Sequence, residues 1–191
     1  MNDGNYLLSI KKQFAYYKAL AEKTFDQLTE EQLFWQYNAE SNSIAIIVKH
    51  LAGNMISRWT DIFTSDGEKE WRNRDAEFEN DFHTKAELIE YWNKGWNVFL
   101  TTLESLTNDD LEKIIYIRNQ GHTVMEAINR QLAHYPYHVG QIVYIGKMVC
   151  DENWKSLSIP RNASGSYNQD MFSKPKHREH FTDETINTKD K

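Results

Sequence analysis

Apolar residues recur along the chain at steps of three and four, the spacing that gathers side chains on one face of an α-helix. Leu7, Ile10, Phe14, Tyr17, Ala21, Thr24 and Leu28 draw one such stripe and predict a helix over about residues 5–28. Thr29 then offers a cap for a short second helix, with Glu30 and Glu31 suited to the positive end of its dipole. After the polar run 38–42, a second long helix is expected from Ser43, carrying Ile44, Ile47, Val48, Leu51, Met55 and Ile62. Residues 64–81 are polar and charged with scattered aromatics, and read as a long connection with room for a helical turn.

Thr84 followed by Glu87 is a capping-box pattern, and Leu88, Trp92, Trp96, Phe99 and Leu103 form the stripe of the helix it opens. Gly95 inside that stripe weakens the helix slightly and permits a close approach by another backbone. Thr107 and Asp110 mark a short helix start, and the β-prone run Ile114 to Ile117 predicts an extended connection or a small hairpin. Thr123 with Glu126 is a second capping box and opens a helix to about Val149. Four long helices predict an all-α protein built as a four-helix bundle over residues 1–172. Residues 154–167, with Pro160, Gly165 and several Ser and Asn, read as an ordered loop at best, and 173–191 as a polar, flexible tail. No internal repeat is visible.

Composition narrows the picture. A chain of 191 residues suits one domain, and 40% apolar with 13% aromatic residues supplies enough buriable surface to fold without a disulfide. A net charge of −6 without a Lys/Arg stripe argues against nucleic acid. Cys150 stands alone, so neither an internal disulfide nor a Cys-rich metal site is expected. The first residues lack the pattern of a signal peptide, and no stretch approaches the roughly 18 apolar residues of a membrane span. A cytoplasmic protein is the expectation.

The candidate chemistry lies in histidines. His134 and His138 are separated by one helical turn, about 40° apart on the wheel, and their imidazoles can converge on one ion. Tyr135 replaces the Glu that a zinc-protease motif would carry there. The pair borders the stripe of Val124, Ala127, Ile128, Ile142 and Ile145, so it belongs at the edge of the core rather than on a solvated face. Buried imidazoles need partners, and a metal supplies one. Pro136 between them removes a helical donor; it either kinks the helix at the site or bends it around the core. His50 lies mid-way along the second long helix on a polar strip with Asn54, Ser57 and Asp61, either as a third ligand or as a satisfied half-buried histidine. His83 and His122 precede capping Thr residues, His177 and His180 lie in the tail, and Cys150 is too far along the helix to join the same ion.

One His in a second long helix, then His-x-x-x-His and Gly-Gln in a fourth, resembles the DinB/YfiT-like superfamily of metal-dependent proteins. The motifs here are Val48-Lys-His50-Leu-Ala-Gly-Asn54 and His134-Tyr-Pro-Tyr-His138-Val-Gly-Gln141. Trp154-Lys-Ser-Leu-Ser-Ile-Pro160 and Gly165-Ser166 resemble a poorly characterised branch of it, and the resemblance covers about residues 5–167. It implies a four-helix bundle, often a homodimer, in which His50, His134 and His138 hold a divalent ion, Ni²⁺ or Zn²⁺ first and Mn²⁺ or Fe²⁺ second. Some relatives are thiol S-transferases using a low-molecular-weight thiol such as bacillithiol, and others are hydrolases.

Three imidazoles leave a divalent ion with open positions, as catalytic sites do, and such an ion can make water or a thiol nucleophilic at neutral pH. Gln141 and Asn54, one turn from His138 and His50, can orient a ligand; Tyr137 can line a substrate pocket. No general base is evident, with Asp61 or a residue of 64–81 as the candidates. The expectation is a thiol S-transferase acting on a small electrophile, with no membrane partner. The alternatives are a metal-dependent hydrolase, a non-catalytic metal-binding stress protein, and a helical interaction module with structural histidines.

Overall fold

The computed structural model describes residues 5–183. Residues 184–191 of the polar tail lie outside the described residues. The structure is mainly helical, with six helices and one two-stranded sheet: α1 Asn5–Phe25, α2 Glu30–Phe34, α3 Ile44–Trp59, α4 Lys85–Ser105, β1 Ile114–Ile117, β2 Gln120–Thr123, α5 Val124–Cys150 and α6 Ser164–Ser173. No helix among them is long and apolar enough to cross a membrane.

The caps act where the sequence places them. Thr29, Ser43, Thr84 and Thr123 each accept a hydrogen bond from the backbone three residues on, and Gln32, Glu87 and Glu126 reach back to the capping residue's own N–H. These contacts satisfy donors that a helix start leaves free. Helix α1 ends three residues before the predicted 28, and Leu28 packs from the turn that follows. Ile62 is buried but does not belong to α3: Thr60 leaves the helix in extended conformation, and Asp61, at φ 52°, reverses the chain.

Four long helices surround the core. Helix α3 packs along α4 and α1 along α5, and these pairs meet through contacts of α3 with α5 and of α1 with α4. Phe14, Phe99, Tyr135 and Trp96 meet edge to face at the centre, the arrangement that aromatic quadrupoles favour. At Gly95 of α4 an added Cβ would lie 2.6 Å from Ala52 Cα, so the glycine sets how closely α3 and α4 approach. Helix α3 is buried on almost all sides because the connection after it folds back over its outer face. Ser57 donates to Gly67 O, Lys69 N donates to Ser57 Oγ, and Lys49 Nζ bonds Ala76 O and pairs with Asp81. That connection contains one helical turn, Asp75–Phe78.

The β-prone run forms a hairpin with Ile114 opposite Thr123. Arg118 and Asn119 turn it, both at positive φ as a two-residue hairpin turn requires, while Asp66 accepts from both of their N–H groups. The loop expected over 154–167 differs: its last residues open α6, which presents no buried residue and so left no apolar stripe to read. Beyond α6 the polar chain lies against α1 as far as Asp183, through Lys12–Asp183, Ser9–His180 and Tyr16–Phe181, with Thr182 buried.

Candidate metal centre

Helix α5 carries two of the three histidines and runs unbroken through Pro136. Its apolar residues Ala127, Ile128, Val139 and Ile142 are buried against the other helices, which leaves His134 and His138 half-buried at the edge of that face. Tyr135 is fully buried and donates its hydroxyl to Asn54 Oδ1 at 3.2 Å, fixing α5 against α3. That contact brings His50 of α3 to the same level as the α5 pair.

The three imidazoles form one cluster. Ring centroids are 5.3 Å apart for His50–His134, 5.0 Å for His50–His138 and 4.8 Å for His134–His138. One nitrogen from each lies within 4.8 Å of the others, a group that could hold a metal ion. His50 Nε2 and His134 Nε2 are 3.2 Å apart. Nitrogens bound tetrahedrally to zinc at roughly 2.0–2.1 Å would be separated by about 3.4 Å. Imidazole nitrogen suits zinc, nickel, copper and iron. The donor set therefore fits a divalent transition metal, and among the described residues it contains no carboxylate.

The outer nitrogens are also held. His50 Nδ1 donates to Glu77 Oε2 at 3.0 Å, which leaves Nε2 with a lone pair toward the cluster. His138 Nδ1 donates to Gln141 Oε1 at 2.7 Å, again freeing Nε2. Burial, then the neighbouring His138 and His50, pushes His134 down to about 3. Burial likewise lowers His138, assisted by His50 and opposed by the hydrogen bond to Gln141. Both rings are neutral near pH 7, the form that ligates a metal. Glu77 is fixed in turn: Arg72 Nε donates to Oε1 at 2.7 Å and Arg72 Nη2 to Oε2 at 2.9 Å. Burial pushes the Glu77 carboxyl up, but the hydrogen bonds from His50 and Arg72 hold it below the ordinary carboxylate range. Phe78, next in the chain, stacks on the His50 ring at 5.3 Å.

The remaining predicted site residues fall in different places. Asn54 is engaged with Tyr135, and Gln141 with His138. Tyr137 is mostly exposed, with its ring edge against His138. Asp61 is an exposed turn residue past the end of α3, its carbonyl accepting from Thr64 and Ser65. Glu77 and Arg72 are the residues that sequence reasoning did not single out. A signal existed in Gly53: a Cβ there would lie 2.5 Å from Glu77 Oε1, so the glycine makes room for the carboxylate beside His50. Cys150 is a buried thiol near Gln27 O, remote in sequence from the cluster.

A cleft of about 490 Å³ opens beside the cluster and is lined by Trp35, Tyr37, Ile47, Gln141, Tyr144 and Met148. Ile47 lies one turn before His50, and Gln141 is the partner of His138, so the cleft adjoins the histidines. A second cleft of about 520 Å³ lies between α1 and residues 178–183, and none of the three histidines lines either cleft directly.

Nothing among curated proteins or solved structures matches the chain. A family model described as a protein of unknown function, DUF1572, matches residues 2–163. The span takes in every histidine of the cluster together with Glu77, Arg72 and Gln141, and the chain belongs to the DUF1572 family.

Proposed function

We propose that this chain is a metal-dependent protein of DinB/YfiT-like type, a four-helix bundle in which His50, His134 and His138 hold Zn²⁺ or Ni²⁺. We further propose that it transfers a low-molecular-weight thiol to a small electrophile. One observation carries the metal reading: the Nε2 atoms of His50 and His134 approach to 3.2 Å while Glu77 and Gln141 occupy the outer nitrogens of His50 and His138. With its Nδ1–H given to Glu77, His50 Nε2 offers a lone pair there, which calls for an ion or an Nε2–H of His134 opposite it. A carboxylate behind a ligating histidine is a recurring support of metal sites, because it fixes the ring and raises its basicity.

A bound ion would supply a Lewis acid with positions open to a small molecule. The protein's own groups would bind and orient. The aromatic cleft would accept the organic body of the electrophile and keep water from it. Glu77 is committed to His50 and Arg72, which leaves it unsuited to removing a proton at the open side. A thiol, with a pKa of about 8.5, needs less help from a base than water does. That favours thiol transfer over hydrolysis. A homodimer belongs to the same reading and rests on the resemblance alone.

The test uses full-length chain without a His-tag. Elemental analysis should give about one divalent ion per chain. With chlorodinitrobenzene, conjugation should require both metal and an added thiol such as bacillithiol, and should vanish in His138→Ala. Ester hydrolysis without thiol would replace transfer by hydrolase chemistry. Stoichiometric metal with neither reaction would leave a binding protein, and absence of metal would overturn the reading.

A further inference from the structure

The cluster has a second polar neighbour that the metal reading does not use. Arg58 lies on α3 two turns beyond His50 and one beyond Asn54, and is only 7% exposed. Its Nε and Nη1 are sealed from solvent and have no hydrogen-bond partner. Among the described residues it forms no salt bridge. The nearby carboxylates are engaged elsewhere: Glu77 by Arg72 and His50, and Glu68 by Arg118 at 3.1 Å with Arg72 at 3.5 Å. Helices α3 and α5 run antiparallel here: His50 meets His138 as well as His134, Asn54 meets Tyr135, and the charge of Arg130 acts on Arg58. One turn further along α3, Arg58 therefore faces the level of Arg130 and Gln131. Gln131 is buried too, and its Oε1 has no donor.

A guanidinium with Nε and Nη1 buried and unpaired is costly, since an uncompensated buried charge costs several kcal/mol. Unsatisfied buried groups commonly mark a bound ion, a water or a functional site. Burial, with Arg130 next in effect, draws Arg58 down to about 10, which still leaves it a cation at neutral pH. Arg58 is also close enough to His134 to add to the depression of that ring. Glu68 acts on Arg58 without forming a salt bridge and is already paired with Arg118 and Arg72, so a guanidinium beside Arg130 still calls for an anion. The planar fork of arginine matches carboxylate and phosphate oxygens.

We propose that Arg58 anchors an oxyanion, a carboxylate or phosphate group, carried by the small molecule that reaches the histidine cluster. The assignment of this anion to a substrate rests on the metal-centre reading; the anion site itself does not. The site lies on the α5 N-terminal side of the histidines, and the aromatic cleft on the α5 C-terminal side. A substrate with an anionic end and an apolar end would span the cluster between them. Gln131 Oε1 can accept from a hydroxyl or amide next to the anionic group.

The test is thermal unfolding of the full chain, zinc-free and zinc-loaded, in sodium acetate, sodium phosphate or sodium chloride at matched ionic strength. The wild type should gain about 2–4 °C in one of the oxyanion salts over chloride. The preferred salt identifies carboxylate or phosphate as the group. Arg58→Met should show no such gain, and its binding of the preferred anion, followed by calorimetry, should be at least about tenfold weaker. Arg58→Lys keeps the charge but loses the fork, and should fall between. Wild-type gains no larger than in chloride, or equal gains in Arg58→Met, overturn the proposal. Zinc content is read separately. Oxyanion stabilisation in a wild type that binds no zinc would keep the anion site while removing the metal reading, whereas zinc binding without oxyanion stabilisation would do the reverse.

Discussion

His138 and His50 are supported from behind in different ways. His138 leans on Gln141, a neutral amide one turn along the same helix. His50 leans on Glu77, an anion 27 residues away in a connection that folds back over α3, and Glu77 leans on Arg72. The first support is built by helical geometry alone and comes with the helix. The second exists only when the connection docks, through Lys49, Ser57 and the room left at Gly53. One half of the centre is local and neutral; the other is long-range and charged. Metal affinity should depend on both, and unequally.

The largest effect should come from removing a ligand shared by neither support. His134→Ala should abolish stoichiometric divalent binding by elemental analysis, whereas His50→Ala should leave weak residual binding by the α5 pair. Full occupancy in both variants would break the comparison at its root. Next comes the charged support. Glu77→Gln should weaken zinc binding about 10- to 100-fold in competition titrations. Glu77→Ala should in addition destabilise the fold by about 3 kcal/mol in urea unfolding, because it leaves the buried guanidinium of Arg72 with only its longer contact to Glu68. Gly53→Ala should reproduce part of the Glu77→Gln loss by pushing the carboxylate off His50. The neutral support ranks below: Gln141→Ala should cost about tenfold or less in zinc affinity. If Gln141→Ala and Glu77→Gln lose equally, charge behind the ring does not matter here.

The last effect concerns pH in the metal-free protein. His134 has a folded pKa of about 3, below the roughly 6.5 of an unfolded chain. The unfolded state therefore binds more protons between these values, and stability falls as pH drops from about 6.5 toward 3. The melting temperature of His134→Ala should decline less over that window. Identical slopes for variant and wild type would mean that the ring is solvated when folded.

The same contrast explains what could be read in the chain. The helices, their caps and the His134–His138 pair follow from local spacing: stripes at three and four, Thr and Glu three apart, His and His four apart. His50 was readable as a candidate because α3 shows a polar strip within an apolar pattern. Glu77 was not, since nothing in the sequence between 64 and 81 repeats, and the chain returns to α3 through single hydrogen bonds to Ser57 and Lys49. Arg58 carries no periodic signature either; its burial depends on what α5 and the connection cover. The hairpin was half readable, because the turn at Arg118–Asn119 needs positive φ at two non-glycine residues, which Asp66 stabilises from far along the chain. Helix α6 has no buried face and could not announce itself.

The contact at Gly95 has a mechanical consequence. With an added Cβ only 2.6 Å from Ala52 Cα, α3 and α4 touch almost backbone to backbone and must move as one body. His50 rides on that body, while His134 and His138 ride on α5, which is seated on α1. An ion shared among the three would be a clasp between two halves, fastening α3 to α5. Occupancy would then govern how freely the halves shear against each other, and amide exchange along both α3 and α5 would slow together when the clasp is shut.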